Sequence, residues 1–205
     1  MSAERPGPGE ELNEGEATPP RRSASLILLR DSAEGPEVLL VQRNPEQRFM
    51  GGAWVFPGGA TGKEDHDERH TAVRELEEEA GVRLPEGTEL ARYSRWITPA
   101  QVKVRFDTHF FVAPAPEAAK VAVDRAECVD FRWLRPADAL AAGERDELLL
   151  VFPTIKHLEQ LAAHESVDEV MEDARSRRVL PVEPKVLTDG GVARVVLPGE
   201  PGYDD

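Results

Sequence analysis

Cysteine is nearly missing from this sequence: Cys128 is the single one among 205 residues. An intrachain disulfide framework is thereby excluded, and a reducing compartment is permitted. Positive charge is also in short supply, with 25 Lys and Arg against 39 Asp and Glu and a formal net charge of −14. Wrapping a nucleic-acid polymer requires many basic contacts to phosphate, so no polymer partner is expected. The same deficit argues against a polybasic membrane anchor. Long apolar runs are absent too. The longest, Leu148 to Phe152, falls far short of the roughly 20 residues needed to cross a bilayer. No apolar h-region follows a basic start, so no secretory signal is expected. These absences describe a soluble acidic chain without a membrane partner, expected in the cytoplasm.

What is present begins with length. A chain of 205 residues suits one domain with an appendage and can bury a real core. Residues 1–22 carry Pro6, Pro8, Pro19 and Pro20, five glutamates and almost nothing apolar. Such a segment cannot offset its ordering entropy, so 1–22 is expected to be a disordered acidic tail. The main domain is expected over 23–163, followed by a helix and hairpin extension over 164–205. Ser23–Leu29 and Glu37–Arg43 are apolar runs around Gly35-Pro36 and read as a hairpin. Ala53–Phe56 reads as a brief strand, and Tyr93–Ile97, Val102–Val112 and Cys128–Leu134 as further strands. Ala72, Val73, Leu76 and Ala80 fall on one helical stripe that stops at Gly81. Pro136–Ala142 and Ser166–Arg177 read as short helices. Glu144–Ala163 has helical period with a break at Pro153. Val179–Pro198, split by Asp189-Gly190-Gly191, reads as a terminal hairpin. The mixture is α+β, or an α/β/α sandwich.

The stretch from Phe56 to Val82 carries the chemistry. Glu75, Glu78 and Glu79 lie at i, i+3 and i+4, so their carboxylates share a helix face. Like charges at that spacing are mildly destabilising unless a cation joins them. Hard divalent cations take oxygen ligands, often one or two carboxylates with substrate phosphates and waters. Arg74 can reach Glu77 or Glu78, or orient a ligating carboxylate from behind. Ahead of the helix, Phe56-Pro57-Gly58-Gly59 supplies a rigid turn and two positions tolerant of positive φ. A glycine loop leading into a carboxylate helix fits a phosphate-plus-metal site.

The spacing resembles the Nudix box, Gly-x5-Glu-x7-Arg-Glu-U-x-Glu-Glu-x-Gly-U with U aliphatic. Arg74 to Val82 fits its second half at every fixed position, and Gly59 matches the leading glycine. The interval from Gly59 to Arg74 is one residue longer than the family's. The family glutamate therefore falls on Asp65 counting forward and on His66 counting back. Glu64, Asp65 and Asp67 are the candidates to stand in for it. The resemblance implies a Nudix-like α/β/α sandwich with a mixed β-sheet. It also implies metal-dependent hydrolysis, by water attack at phosphorus, of a diphosphate in a nucleoside diphosphate derivative. Mg²⁺ or Mn²⁺ is the implied cofactor. On this resemblance Glu75, Glu78 and Glu79 are the metal ligands, Glu75 or Glu79 is the general base, and Arg74 orients the carboxylates. Glu127 and Asp130 are candidates for an additional acid, with a surface-strand role as the alternative for Glu127. Gly58 and Gly59 are expected at the substrate.

Val38–Arg43, Gly52–Gly59, Trp96–Pro99 and Arg105–Phe111 further resemble Nudix proteins of the acyl-CoA diphosphatase type, which points to a CoA or acyl-CoA substrate. Arg43, Arg95 and Arg105 can bind phosphate bidentately or form ordinary salt bridges. Trp54, Trp96 and Trp133 read as core or as stacking platforms. His66, His70 and His109 lack a zinc-site spacing, and Cys128 reads as a buried inert thiol. A Nudix-fold module that binds a nucleotide without cleaving it is the alternative function, and an acidic interaction protein is a third. The oligomeric state is not legible.

Overall fold

The computed structural model describes residue 13 and residues 15–47, 49–189 and 192–204. Most of the expected tail, residues 1–12 and 14, lies outside the described residues, as does the Gly190-Gly191 turn.

The centre of the molecule is a mixed eight-stranded sheet. β1 (Arg21–Ser32) runs antiparallel to β2 (Gly35–Arg43) and parallel to β6 (Phe106–Pro114). The first strand thus starts two residues before the expected Ser23. β3 (Trp54–Val55) and β7 (Cys128–Leu134) both pair with β2, and β4 (Gly58–Ala60) pairs with β1. β5 (Ala91–Ile97) pairs with β6 on the other side, followed by the short β8 (Pro181–Val182). The expected strand Val102–Val112 begins only at Phe106. Pro99 precedes a turn closed by the Val102 amide donating to its carbonyl at 3.0 Å, and Arg105 leaves that loop.

Alternation along β1 explains the layering. Ile27 and Leu29 join one core with Val38 and Leu40, while Ala24, Leu26 and Leu28 join another with Leu39 and Val41. A sheet apolar on both faces must be covered twice. One face is covered by α1 (Glu68–Ala80) through Ala72, Leu76 and Ala80. The opposite face is covered by α2 (Pro136–Glu144), α3 (Phe152–Leu161) and α4 (Val167–Ser176). Pro153 falls in the first turn of α3, where a missing amide hydrogen costs nothing, and so opens a helix rather than breaking one.

The helix of the expected 164–205 extension packs on the core of the main domain. Val167, Val170, Met171 and Ala174 of α4 are buried in the same core as Tyr93 and Leu158. What stands apart is a two-stranded sheet, β9 (Lys185–Asp189) with β10 (Val192–Val196), at the expected place for the terminal hairpin.

Candidate active site

α1 is bounded by its own side chains. Asp67 caps the N-terminus by accepting from the His70 amide at 2.9 Å. Gly81 ends the helix at φ 66°, its amide donating to the Glu77 carbonyl at 2.9 Å. Between these caps the three glutamates divide. Glu75 and Glu79, one turn apart, are buried at 7% and 2% exposure. Glu78 instead lies outward, 58% exposed, with a carboxylate oxygen 2.7 Å from Arg74 Nη1. The reading of these glutamates as a mere solvated face fails for two of the three.

β4 explains how two carboxylates come to be buried there. The Gly58 amide donates to Glu79 Oε2 at 2.9 Å. A Cβ on Gly59 would overlap the Glu75 carboxylate, and one on Gly58 would meet the Ala24 carbonyl oxygen at 2.6 Å. Neither glycine has positive φ. The expected Phe-Pro-Gly-Gly turn is a strand start, and its glycines are required by close approach to β1 and to the box helix.

Burial raises the Glu79 carboxyl to about 7, reinforced by Glu75 and Glu127 and opposed by the Gly58 amide and Arg43. Burial likewise raises Glu75, with Arg74 opposing it and Glu78 and Glu127 adding repulsion. Glu75 has Arg74 Nη1 at 2.9 Å from its Oε1, whereas the more deeply buried Glu79 has Arg43 Nη1 at 3.8 Å from its Oε1, so the three box carboxylates Glu75, Glu78 and Glu79 outnumber the two guanidiniums beside them. A hard divalent cation supplies the missing positive charge through oxygen ligands, so the donor set fits Mg²⁺ or Mn²⁺. Among the described residues, no group of three or more His, Cys, Asp or Glu is gathered into a metal cage. The fit is to a cation held by few carboxylates, with room for substrate phosphate and water.

The longer loop ahead of the helix has found its acid. Asp65 accepts from Arg74 Nε at 3.0 Å and Arg74 Nη2 at 2.8 Å, and also from the Gly62 amide at 2.7 Å. These bonds, that to Arg74 foremost, hold its carboxyl well below the usual carboxylate range. Arg74 in turn places Nη1 2.9 Å from Glu75 Oε1. Of the three candidates, Asp65 is the one that grips Arg74, and the extra residue is absorbed in the loop.

Two further groups arrive through the sheet. A bulge between Gln42 and Arg43 shifts the β2–β7 register so that Arg43 faces Cys128, and such a bulge re-aims the side chain. Arg43 and Glu127, which precedes β7, both line a cavity of about 810 Å³ that also opens onto Gly58, Gly59, Arg74, Glu75 and Glu78. Glu79 is not part of its lining. Among the described residues, the Asp130 carboxylate accepts from the following amide, that of Phe131, at 2.8 Å and is not part of the cavity lining.

Arg105 departs from the expectation of a phosphate ligand. It is 8% exposed and donates to the carbonyls of Thr98 (3.0 Å) and Thr18 (2.8 Å) and to Glu183 Oε1 (2.6 Å). With its guanidinium tied to three chain segments, it fastens the termini to β6. Thr18 belongs to the segment expected to be tail. Arg95 pairs with Asp107 at 2.6 Å. Trp54 is core, Trp96 is both buried and part of the cavity wall, and Trp133 carries Arg30 stacked at 4.4 Å. Cys128 is buried, and burial, followed by the neighbouring Glu79, pushes its thiol far up. The apolar half of the cavity is formed with residues from the loop after β5, α3 and the terminal hairpin; α3 carries no motif that marks it in the sequence.

A single mixed sheet covered on both faces, with an Arg-Glu helix packed against a glycine strand, defines the class of α+β protein. The NUDIX domain model matches residues 19–153, and the chain belongs to the Nudix family. It is similar to the human acyl-coenzyme A diphosphatase NUDT19, 25% identical over 91% of this chain and 76% of that protein. A Caenorhabditis elegans protein named as nudix hydrolase 7 is 26% identical over 72% of this chain, which spans 63% of that relative's length. Among solved structures, a NUDIX hydrolase from Alicyclobacillus acidocaldarius superimposes with TM-score 0.67 at 28% identity, covering 76% of this chain and 96% of that one. Among the described residues, no helix is long and apolar enough to cross a membrane.

Proposed function

We propose that this protein hydrolyses a diphosphate linkage in a nucleoside diphosphate derivative of the CoA or acyl-CoA type, by attack of water at phosphorus. The observation that carries this reading is the buried Glu75–Glu79 pair, raised by burial and mutual repulsion, beside a cavity lined by Arg43 and Arg74. Nudix hydrolases generally use divalent cations. Glu75 and Glu79, with Glu78 and Glu127 at the cavity edge, are the residues that would hold Mg²⁺ or Mn²⁺. When bound, the cation neutralises phosphate oxygens and lowers the pKa of water.

The remaining work falls to side chains. Arg74, clamped by Asp65, keeps Glu75 in one orientation. Glu75 lines the cavity, whereas Glu79 sits behind β4. We therefore assign the water's proton to Glu75, alongside its part in holding the cation, and a ligand role alone to Glu79. A base must reach the attacking water directly or through one other water, and Glu75 is the one of the two on the cavity wall. Arg43 is placed to meet a phosphate oxygen, and Gly58 and Gly59 leave the cleft floor free of side chains. The acyl-CoA assignment is supported by the similarity to human NUDT19, whose name states that activity.

The test is a panel of CoA, acyl-CoA, ADP-ribose, NADH and dinucleoside polyphosphates incubated with Mg²⁺ or Mn²⁺ in ¹⁸O-water. Metal-dependent cleavage with ¹⁸O on one product phosphate is expected. Tight binding with the ligand intact after long incubation would instead support a nucleotide-binding module.

A further inference from the structure

The same cavity has a second, apolar half that the box does not account for. Its outer wall comes from the segment after β8: Pro184, Val186 and Val195 all line it. Val186 and Val195 face each other across the β9–β10 ladder, so they lie on one face of the hairpin. This wall lies beyond residue 153, where the family match ends. Across the cavity stand Phe106, Phe152 and Trp96, with Trp96 and Phe152 in edge contact at 6.1 Å. The hairpin is held in place by Arg105 on Glu183 at 2.6 Å and by the Tyr203 hydroxyl donating to the Glu183 carbonyl at 2.8 Å.

We propose that the β9–β10 hairpin is the wall of a subsite for a saturated acyl chain carried by the substrate, and that it sets the preference for acylated over unacylated substrates. As a deepening of the acyl-CoA reading, it rests on that reading for the reaction itself. The hairpin's side chains at the cavity are aliphatic. They offer no donor or acceptor to the edge of a nucleobase, whereas a hydrocarbon chain asks for none. The polar half, with Arg43, Arg74 and Glu75, takes the diphosphate, so the two halves match a substrate with one charged and one apolar part. Burial of each methylene contributes about fourfold in affinity. The Arg105–Glu183 pair then has a functional reading as the latch that keeps this wall against the chamber.

The test compares octanoyl-CoA with free CoA in the full chain, with either metal, for wild type, Val195→Asp and Val195→Phe. Calorimetric binding of S-octanoylpantetheine, which has no diphosphate, is measured in parallel. Wild type should favour octanoyl-CoA at least tenfold in kcat/KM, and Val195→Asp should cut that ratio at least tenfold. Val195→Phe keeps the wall apolar but fills the chamber, and should move the preference to shorter chains. S-octanoylpantetheine should bind wild type saturably and Val195→Asp at least tenfold more weakly. A ratio indifferent to both substitutions, or no binding difference for S-octanoylpantetheine, overturns the subsite. If no CoA species is cleaved while S-octanoylpantetheine still distinguishes wild type from Val195→Asp, the subsite stands and the proposed reaction falls.

Discussion

Asp65 shows how much one side chain outside the glutamate pair can govern. It reaches Arg74 with both oxygens, and Arg74 fixes Glu75. Groups that orient a ligating residue typically cost 10–100-fold in activity or metal affinity when removed. Asp65→Asn should therefore lower kcat by about 10–100-fold, with Asp65→Glu recovering part of the loss, as read by steady-state kinetics on the best substrate. In the core on the sheet face opposite α1, His157 is fully buried among Phe56, Tyr93, Trp96 and Phe110, with Nε2 2.5 Å from Ser94 Oγ. Burial pushes its imidazole from 6.5 down to about 3. Between those values the unfolded chain binds the proton and the folded one does not. Its contribution to stability is thus complete above 6.5 and declines as pH falls toward 3. His157→Phe should flatten that part of a Tm-versus-pH curve between pH 4 and 7, while losing roughly 1 kcal/mol for the Ser94 hydrogen bond.

At the scale of elements, α1 and β4 form one device. A side chain at Gly59 must displace the Glu75 carboxylate, whereas the backbone there has ordinary φ. Gly59→Ala should leave the far-ultraviolet CD spectrum native yet lower metal-dependent hydrolysis by about 100-fold, on the scale of a misplaced reacting geometry. Much of this device was legible in the sequence, because caps and box spacing are local. Asp67 and Gly81 bound the helix close to where pattern predicts, and Arg74 to Val82 carries the family's spacing without interruption. The unread part is what chain neighbours cannot encode. Glu75 and Glu79 are buried against β4, whose own position is set by pairing with β1 much earlier in the chain, Ser23 opposite Ala60 and Ser25 opposite Gly58. Arg105 has the residue type of a phosphate ligand, but its partners, Thr18 and Glu183, lie 87 and 78 residues away. Asp65 was one of three loop acids that spacing could not separate, and its grip on Arg74 selects it.

For the molecule as a whole, the helix and the hairpin expected over 164–205 take different places in the structure. α4 completes the sandwich, and the hairpin after it completes the cavity. A chain ended after residue 163 exposes the core contacts of Val167, Val170 and Met171, each worth about 1.5–3 kcal/mol when fully buried. That sum is comparable to an entire domain's stability of roughly 5–15 kcal/mol. Such a truncation should lose its cooperative thermal transition by calorimetry. The charge of −14 also resolves into places: part sits in the first residues, and part is concentrated in a buried pair short of a cation. Under the proposed function, that local arrangement, with Arg43 and Arg74 on the same cavity, is what lets an acidic protein take an acidic substrate.

The account stands on Glu75 and Glu79 holding the metal on which hydrolysis depends. Mn²⁺ affinity, measured by electron paramagnetic resonance titration of wild type, Glu75→Gln and Glu79→Gln, tests this most directly. Each substitution should weaken Mn²⁺ binding at least tenfold while the fold, by CD, is retained. Mn²⁺ bound with wild-type affinity by both variants would contradict it.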